Sequence, residues 1–326
     1  MKLHMPLILT LLSVVFFFFM GGCAGKKQTR DKLKIAMVIQ AESNPYFDRI
    51  EKGMRDAAND QNMVLVVIAD REYQAKEQQA ITKKLIDAKV QGLIMMPDAA
   101  ESSKKYTIPL ILEANRNNIP VVFIHAAIDE DVMKSAGASA KGVVTNDKKG
   151  GSISAADYLV RKLKGKGTVL VMEGGPGGPK SEESRLEGFL EVTKKYPQVK
   201  VLFAPPGNWR REDAFSSASK ALKKKPHVDA IFTYSEPMLL GILDAVDSLK
   251  VRKPLIVGFD GTDEGYKLVK TGRIDALVDQ KPYEMGKASI DYMVKLHKGQ
   301  KLPEVHMINT ALITKESFQH PFDQGP

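Results

Sequence analysis

Residues 33–59 read L-K-I-A-M-V-I-Q-A-E-S-N-P-Y-F-D-R-I-E-K-G-M-R-D-A-A-N. Leu33 to Gln40 is a short apolar run of strand length, and Ile50 to Asn59 repeats its apolar residues at helical spacing. Asn44-Pro45 stops the strand, since proline cannot donate to a ladder. The segment A-E-S-N-P-Y-F-D is then a loop between strand and helix, and it carries two adjacent aromatics, Tyr46 and Phe47. Rings in that position face the rim of a sheet rather than its core.

The same βα unit recurs along the chain. Met63–Ala69, Gly92–Met96, Val121–Ile124 and Gly142–Val144 are further strand-length runs, separated by helical patterns at 47–61, 74–88 and 108–117. The alternation restarts after Asn146, with helices at 150–163, 181–196, 212–224 and 238–249 and strands at 168–172, 199–203, 230–234 and 255–259. Such alternation predicts parallel sheets covered by helices on both faces, and its restart predicts two doubly wound α/β lobes. No Pro- or Ser-rich linker divides them, so short strand-like crossings are expected at the joint. In sheets of this kind ligands bind beyond the carboxyl ends of the strands. Gln40, Asn44, Met96, His125, Glu173, Ser235, Glu236, Phe259 and Asp260 all fall there.

At 326 residues, with 43% hydrophobic and 27% charged, the chain can bury a large core and has room for about two domains. Lys2 and His4 precede an apolar stretch from Leu7 to Met20, too short to cross a bilayer of roughly 30 Å, which reads as an export signal over residues 1–22. Gly21 and Gly22 stand before Cys23, the only cysteine. This resembles the lipobox of bacterial lipoproteins, with Met20 where Leu is usual, and implies a lipid on Cys23 followed by a tether over residues 23–32. Removing the signal with Lys2 lowers the formal charge from +9 to +8. Lys26, Lys27, Arg30, Lys32 and Lys34 crowd the tether, where anionic headgroups would attract them, or where they serve as a solvated spacer. Elsewhere basic and acidic residues are mixed, so no stripe points to nucleic acid.

Asn44-Pro45-Tyr46-Phe47, Pro206-Gly207-Asn208-Trp209 and Val257-Gly258-Phe259-Asp260-Gly261-Thr262 together resemble the ribose- and galactose-binding members of the type I periplasmic binding proteins. The resemblance runs from about Leu33 to about Thr314. It implies two Rossmann-like lobes joined by a three-stranded hinge, the first of 33–144 with 281–309 and the second of 145–280 with 310–326. It also implies a monomer that closes on a small solute. Tyr46 and Phe47 match the family's first aromatic pair and Trp209 the aromatic facing it across the sugar. Stacking a sugar's C–H face between rings removes apolar area from water and leaves its hydroxyls at the edge. Asn44, Arg185, Asp260 and Gln280 match the polar ligand contacts, with Phe259 beside them. An amide, a guanidinium and a carboxylate can each join two neighbouring hydroxyls. Asp260 could instead cap its turn, and Arg185 could pair with Glu182 or Glu183.

The departures cluster in the first lobe. Met96-Pro97 stands for the family's Asn-Pro, His125-Ala126 for its Asp-Arg pair, and Ser235 for another Asn. Gln40, His125 and Glu236 could compensate, or the ligand is less polar on that face. The Gly-Pro stretch 173–180 reads as a cleft-rim loop, because Ser181 with Glu182 and Glu183 already answers the helix dipole there. No Walker lysine motif, G-x-S-x-G or H-E-x-x-H is present, one cysteine makes no zinc cluster, and neither cofactor nor metal is expected. The resemblance implies delivery to an ABC importer, or, in a second reading, reporting to a chemoreceptor or sensor kinase. A cleft enzyme using Glu173, His125 or Asp260 is the third.

Overall fold

Among the described residues, two six-stranded sheets are each wrapped by helices. The computed structural model describes residues 32–40, 44–70, 75–97, 103–175, 180–225 and 227–319. The export signal and Cys23 lie outside these, as do residues 176–179 of the Gly-Pro stretch.

The first sheet is laid down by β1 (Lys34–Gln40), β2 (Val64–Asp70), β3 (Gly92–Met95), β4 (Val121–Ile124) and β5 (Val143–Asn146), and completed by β11 (Val305–Ile308). Its order is β11-β5-β4-β3-β1-β2, and all its pairings are parallel. β1 shows why the strands are almost wholly apolar: Ile35 and Met37 face one layer, Ala36 and Val38 the other. On the first side lie Ile50 and Met54 of helix α1 (Pro45–Asp60) and Met285, Ile290 and Met293 of α10 (Pro282–His297). On the other lie Ile86 of α2 (Ala75–Asp87) and Ile108, Leu110 and Ile111 of α3 (Ile108–Arg116). α1 and α10 meet backbone to backbone at two glycines. A Cβ on Gly53 would stand 2.1 Å from the Tyr283 carbonyl oxygen, and one on Gly286 2.1 Å from that of Ile50.

The second sheet contains β6 (Gly167–Met172), β7 (Val199–Phe203), β8 (Ala230–Thr233), β9 (Leu255–Asp260), β10 (Ala276–Asp279) and β12 (Ala311–Thr314), ordered β12-β10-β9-β8-β6-β7. β12 runs antiparallel to β10, a departure from the all-parallel expectation. The sheet carries α5 (Lys148–Lys162), α6 (Lys180–Thr193), α7 (Arg211–Lys224), α8 (Glu236–Leu249) and α9 (Asp263–Lys270). Short α4 (Glu130–Ser135) follows β4 in the first lobe.

Among the described residues the chain passes between the sheets three times: from β5 into α5, from β10 into α10, and from β11 into β12. One local expectation changes. Asn44 is the N-cap of α1, its Oδ1 accepting the Tyr46 amide at 3.0 Å, and Pro45 fills the first helical position, where it sacrifices no hydrogen bond. Tyr46 and Phe47 thus project from the first helical turn rather than from a loop.

Candidate functional site

Several strands end in a polar residue, among them β5 in Asn146, β9 in Asp260 and β10 in Asp279, and Gln280 follows β10 directly. Asp260, the last residue of β9, is the centre. Its Oδ2 accepts Asn44 Nδ2 at 3.0 Å and the Glu236 amide at 2.9 Å, while Oδ1 accepts Gln280 Nε2 at 2.9 Å. Asn44 belongs to the first lobe and Asp260 to the second, so this bond spans the cleft. Burial pushes the Asp260 carboxyl up from its ordinary range; the three donors and the nearby Arg185 charge pull it back. That donor set serves a carboxylate and would leave little for a protonated acid.

Gln280 sits on the second crossing, immediately after β10. Its Oε1 accepts Asn146 Nδ2 at 3.2 Å and Arg185 Nη2 at 3.3 Å, and Asn146 also donates to the Gln280 backbone carbonyl at 3.1 Å. Asn146 ends β5, so the first and second crossings are tied together beneath the site. The amide of Gln280 is therefore spent on orienting its neighbours, and the carbonyl of Asn44 on capping α1.

Arg185 lies over three rings, 5.2 Å from the Phe259 centroid, 5.7 Å from Tyr234 and 5.8 Å from Trp209. Such stacking suits a flat, weakly hydrated guanidinium. Phe259 itself is fully buried, edge-on to Phe232 at 5.8 Å, and acts as the floor under Arg185. Trp209 has a left-handed backbone, φ 60°, and its indole lies against Gly174: a Cβ there would stand 2.1 Å from Cε2. Only glycine permits the ring to lie that close.

On the first lobe, Tyr46, Phe47 and His125 form an edge-to-face cluster with centroids 5.2 to 6.1 Å apart. Tyr46 OH meets His125 Nδ1 at 2.9 Å. Burial, then the charges of Lys148 and Arg185, push the His125 pKa well down, so the ring is neutral. Burial and Asp260 push the Tyr46 phenol up, which keeps its proton in place. Tyr46 is buried in the first-lobe core, whereas Phe47 is only partly so. Met96 is packed in the same core.

Glu236 is better described as a brace than as a cleft-facing group. Oε1 accepts the Gly261 amide at 3.1 Å and the Thr262 amide at 2.9 Å, and Oε2 accepts the Thr262 hydroxyl. It thereby holds a loop whose first residue, Asp260, has φ 120°, a conformation that L residues rarely adopt. Burial and the neighbouring Asp260 raise its pKa to about 7. Ser235, at the N-cap position of α8, makes no cap bond, and its Oγ is buried without a partner among the described residues. Gln40 ends β1, and its side chain lies outside the described residues. Farther out, Arg49 Nη1 reaches Asp263 across the lobes at 2.7 Å, but Asp263 is 96% exposed, and such a pair contributes little.

Asn146, Lys148 and Asp279 were not anticipated from the sequence. All three sit at crossings. Lys148 donates to the His125 carbonyl at 2.7 Å and to Thr145 Oγ1 at 3.1 Å; Asp279 receives Tyr266 OH at 2.8 Å and Lys281 Nζ at 2.9 Å.

Residues 35–301 match the family model described as periplasmic binding protein domain. The chain belongs to the periplasmic binding protein family. Among curated relatives of this periplasmic binding protein, the ribose import binding protein RbsB of Haemophilus influenzae is 31% identical over 284 residues, covering 86% of this chain and 91% of that protein. The D-allose-binding periplasmic protein of Escherichia coli is 28% identical over 288 residues, with the same coverage of 86% and 91%. Among solved structures, an ABC transporter periplasmic solute binding protein from Actinobacillus succinogenes with bound D-allose superposes with a TM-score of 0.82 at 25% identity, over 88% of this chain and 99% of that one. The periplasmic binding protein described here is thus of the ribose-binding type, an exported and non-enzymatic solute-binding protein.

Proposed function

We propose that this protein captures a small sugar-like solute between its lobes and delivers it to an ABC importer. The observation that carries this reading is the buried Asp260 carboxylate, held from both lobes by Asn44 and Gln280 beside the Arg185–Trp209 stack. A carboxylate fixed in that way accepts hydroxyls with charge assistance, and an indole offers a flat apolar face. The relatives named for ribose and D-allose support the solute class. Asn44, Tyr46, Phe47, Arg185, Trp209, Asp260 and Gln280 form the site, with Phe259 and Glu236 supporting it from below. Solute touching both lobes favours the closed form by its differential affinity for it, and the permease recognises that form. The lobes are 33–144 with 281–309 and 145–280 with 310–326, and a lipid on Cys23 tethers the monomer to the envelope.

A thermal-shift screen of protein lacking its first 30 residues against pentoses, hexoses, alditols, nucleosides and amines tests the reading. Stabilisation by a sugar or polyol is expected. Stabilisation by none of them, or turnover of a stabilising compound, would overturn it.

A further inference from the structure

Lys148 is a buried cation that the reading above leaves unused. It opens α5 at the first crossing, 4% exposed, and its ammonium contacts two neutral oxygens: the His125 carbonyl at the carboxyl end of β4 and Thr145 Oγ1 near the end of β5. Both strand ends belong to the edge of the first sheet that faces the cleft. Among the described residues, no carboxylate forms an ion pair with it. An ammonium has three donors, and two are accounted for. A buried ammonium with only neutral partners is expensive, so its charged form is disfavoured until an anion compensates it.

Its neighbours deepen the imbalance. Arg185, on α6, is a second buried cation close enough to push the Lys148 pKa down together with burial, and both cations push His125 down. The carboxylates of the site are committed elsewhere. Asp260 takes Asn44, Gln280 and the Glu236 amide, Glu236 takes the 261–262 loop, and Asp279 pairs with Lys281. Two residues before Lys148, Asn146 Oδ1 is buried without a donor among the described residues, an acceptor that suits a solute hydroxyl. The hinge-side wall therefore offers a buried amine that an incoming anion would hold in its charged form, while Asp260 offers an acceptor for hydroxyls.

We propose that the solute is an acidic sugar, an aldonate or uronate whose carboxylate is met by Lys148 while its hydroxyls face Asp260. This rests on the reading that the cleft binds a sugar-like solute. It also accounts for the first lobe, where Met96 and Ala126 read no hydroxyl: the end of the solute that meets this wall is a carboxylate, and an ammonium rather than a ring of amides and acids is the group that receives it.

The test is calorimetry on the mature protein with matched pairs: D-ribose against D-ribonate, and D-galactose against D-galacturonate. Each acid should bind at least tenfold tighter than its neutral parent. Lys148→Met should lower acid affinity at least tenfold more than neutral affinity, and Lys148→Arg, which keeps the charge, should retain the preference. Neutral sugars binding as well as or better than their acids would overturn the proposal and leave the sugar-receptor reading standing. A preference unchanged in Lys148→Met would overturn the role of Lys148. Silence from both members of every pair would overturn the proposal, and the reading beneath it falls with it only if the wider thermal-shift screen is silent too.

Discussion

Asn44 and Asp260 are 216 positions apart in sequence and 3.0 Å apart in space. The same asparagine starts α1 with its carbonyl and reaches the other lobe with its amide, so the helix cap and the interlobe contact are one side chain. Asp260→Ala should weaken binding of the best solute by about 2–5 kcal/mol, because the solute's hydroxyls would lose a buried charged acceptor and Asn44, Gln280 and the Glu236 amide would lose the group that holds them in place. Calorimetry reads this directly. Asn44→Ala should also lower the melting free energy by about 1 kcal/mol for the lost cap.

Trp209→Ala should cost about 1–3 kcal/mol of binding, the scale of a stacked aromatic contact. Gly174→Ala should act in the same direction without touching solute, since its methyl group would displace the indole. Unchanged affinity in both variants would remove the ring from the site.

Glu236→Ala should destabilise the protein by at least about 2 kcal/mol, because three donors of the 261–262 loop lose their acceptor. Glu236 also titrates near 7, above the ordinary 4.5. Between those values the native state holds the proton more firmly than the unfolded chain, so this group's contribution to stability falls as pH rises from 4.5 to 7 and is level beyond. Glu236→Gln should remove that slope from denaturant midpoints measured across the window.

His125 works in the opposite sense. Its native pKa lies well below 6.5, so the unfolded chain binds more protons just below 6.5, and stability is lost as pH falls through that region. The melting temperature of His125→Gln should fall less on acidification below pH 6.5 than that of the wild type.

Cys23→Ser should release the full-length protein from membranes into the soluble fraction. Continued sedimentation with membranes would defeat the lipid anchor.

Strand and helix are local properties, and they were legible. Apolar runs such as Ile35–Val38, with both faces buried, and the apolar spacing of Ile50, Met54 and Ala57 leave few alternatives, whereas the start of α1 at the Asn44-Pro45 cap reads as loop in the sequence. Beyond Phe259 no element is read from the sequence, so α9, β10 and α10 emerge only in the structure, and the last two strands carry the weakest signal. Val305–Ile308 and Ala311–Thr314 are four residues each and only partly buried, so no apolar run distinguishes them from loop. They become strands because β5 and β10 supply their ladders.

The sequence by itself determined two repeated α/β units and a set of polar residues at strand ends, because burying an apolar face dictates periodicity residue by residue. Only the tertiary structure decided which of those ends meet. Asn146, Lys148 and Gln280 lie on crossings, and in the run Asn146-Asp147-Lys148-Lys149 nothing local separates the buried lysine from its half-exposed neighbour. Passages of the chain between two sheets bring Gln280 to Asp260 and Asn146 to Gln280, and set Lys148 under the His125 carbonyl; a buried polar group acquires its meaning from the partners that such passages deliver.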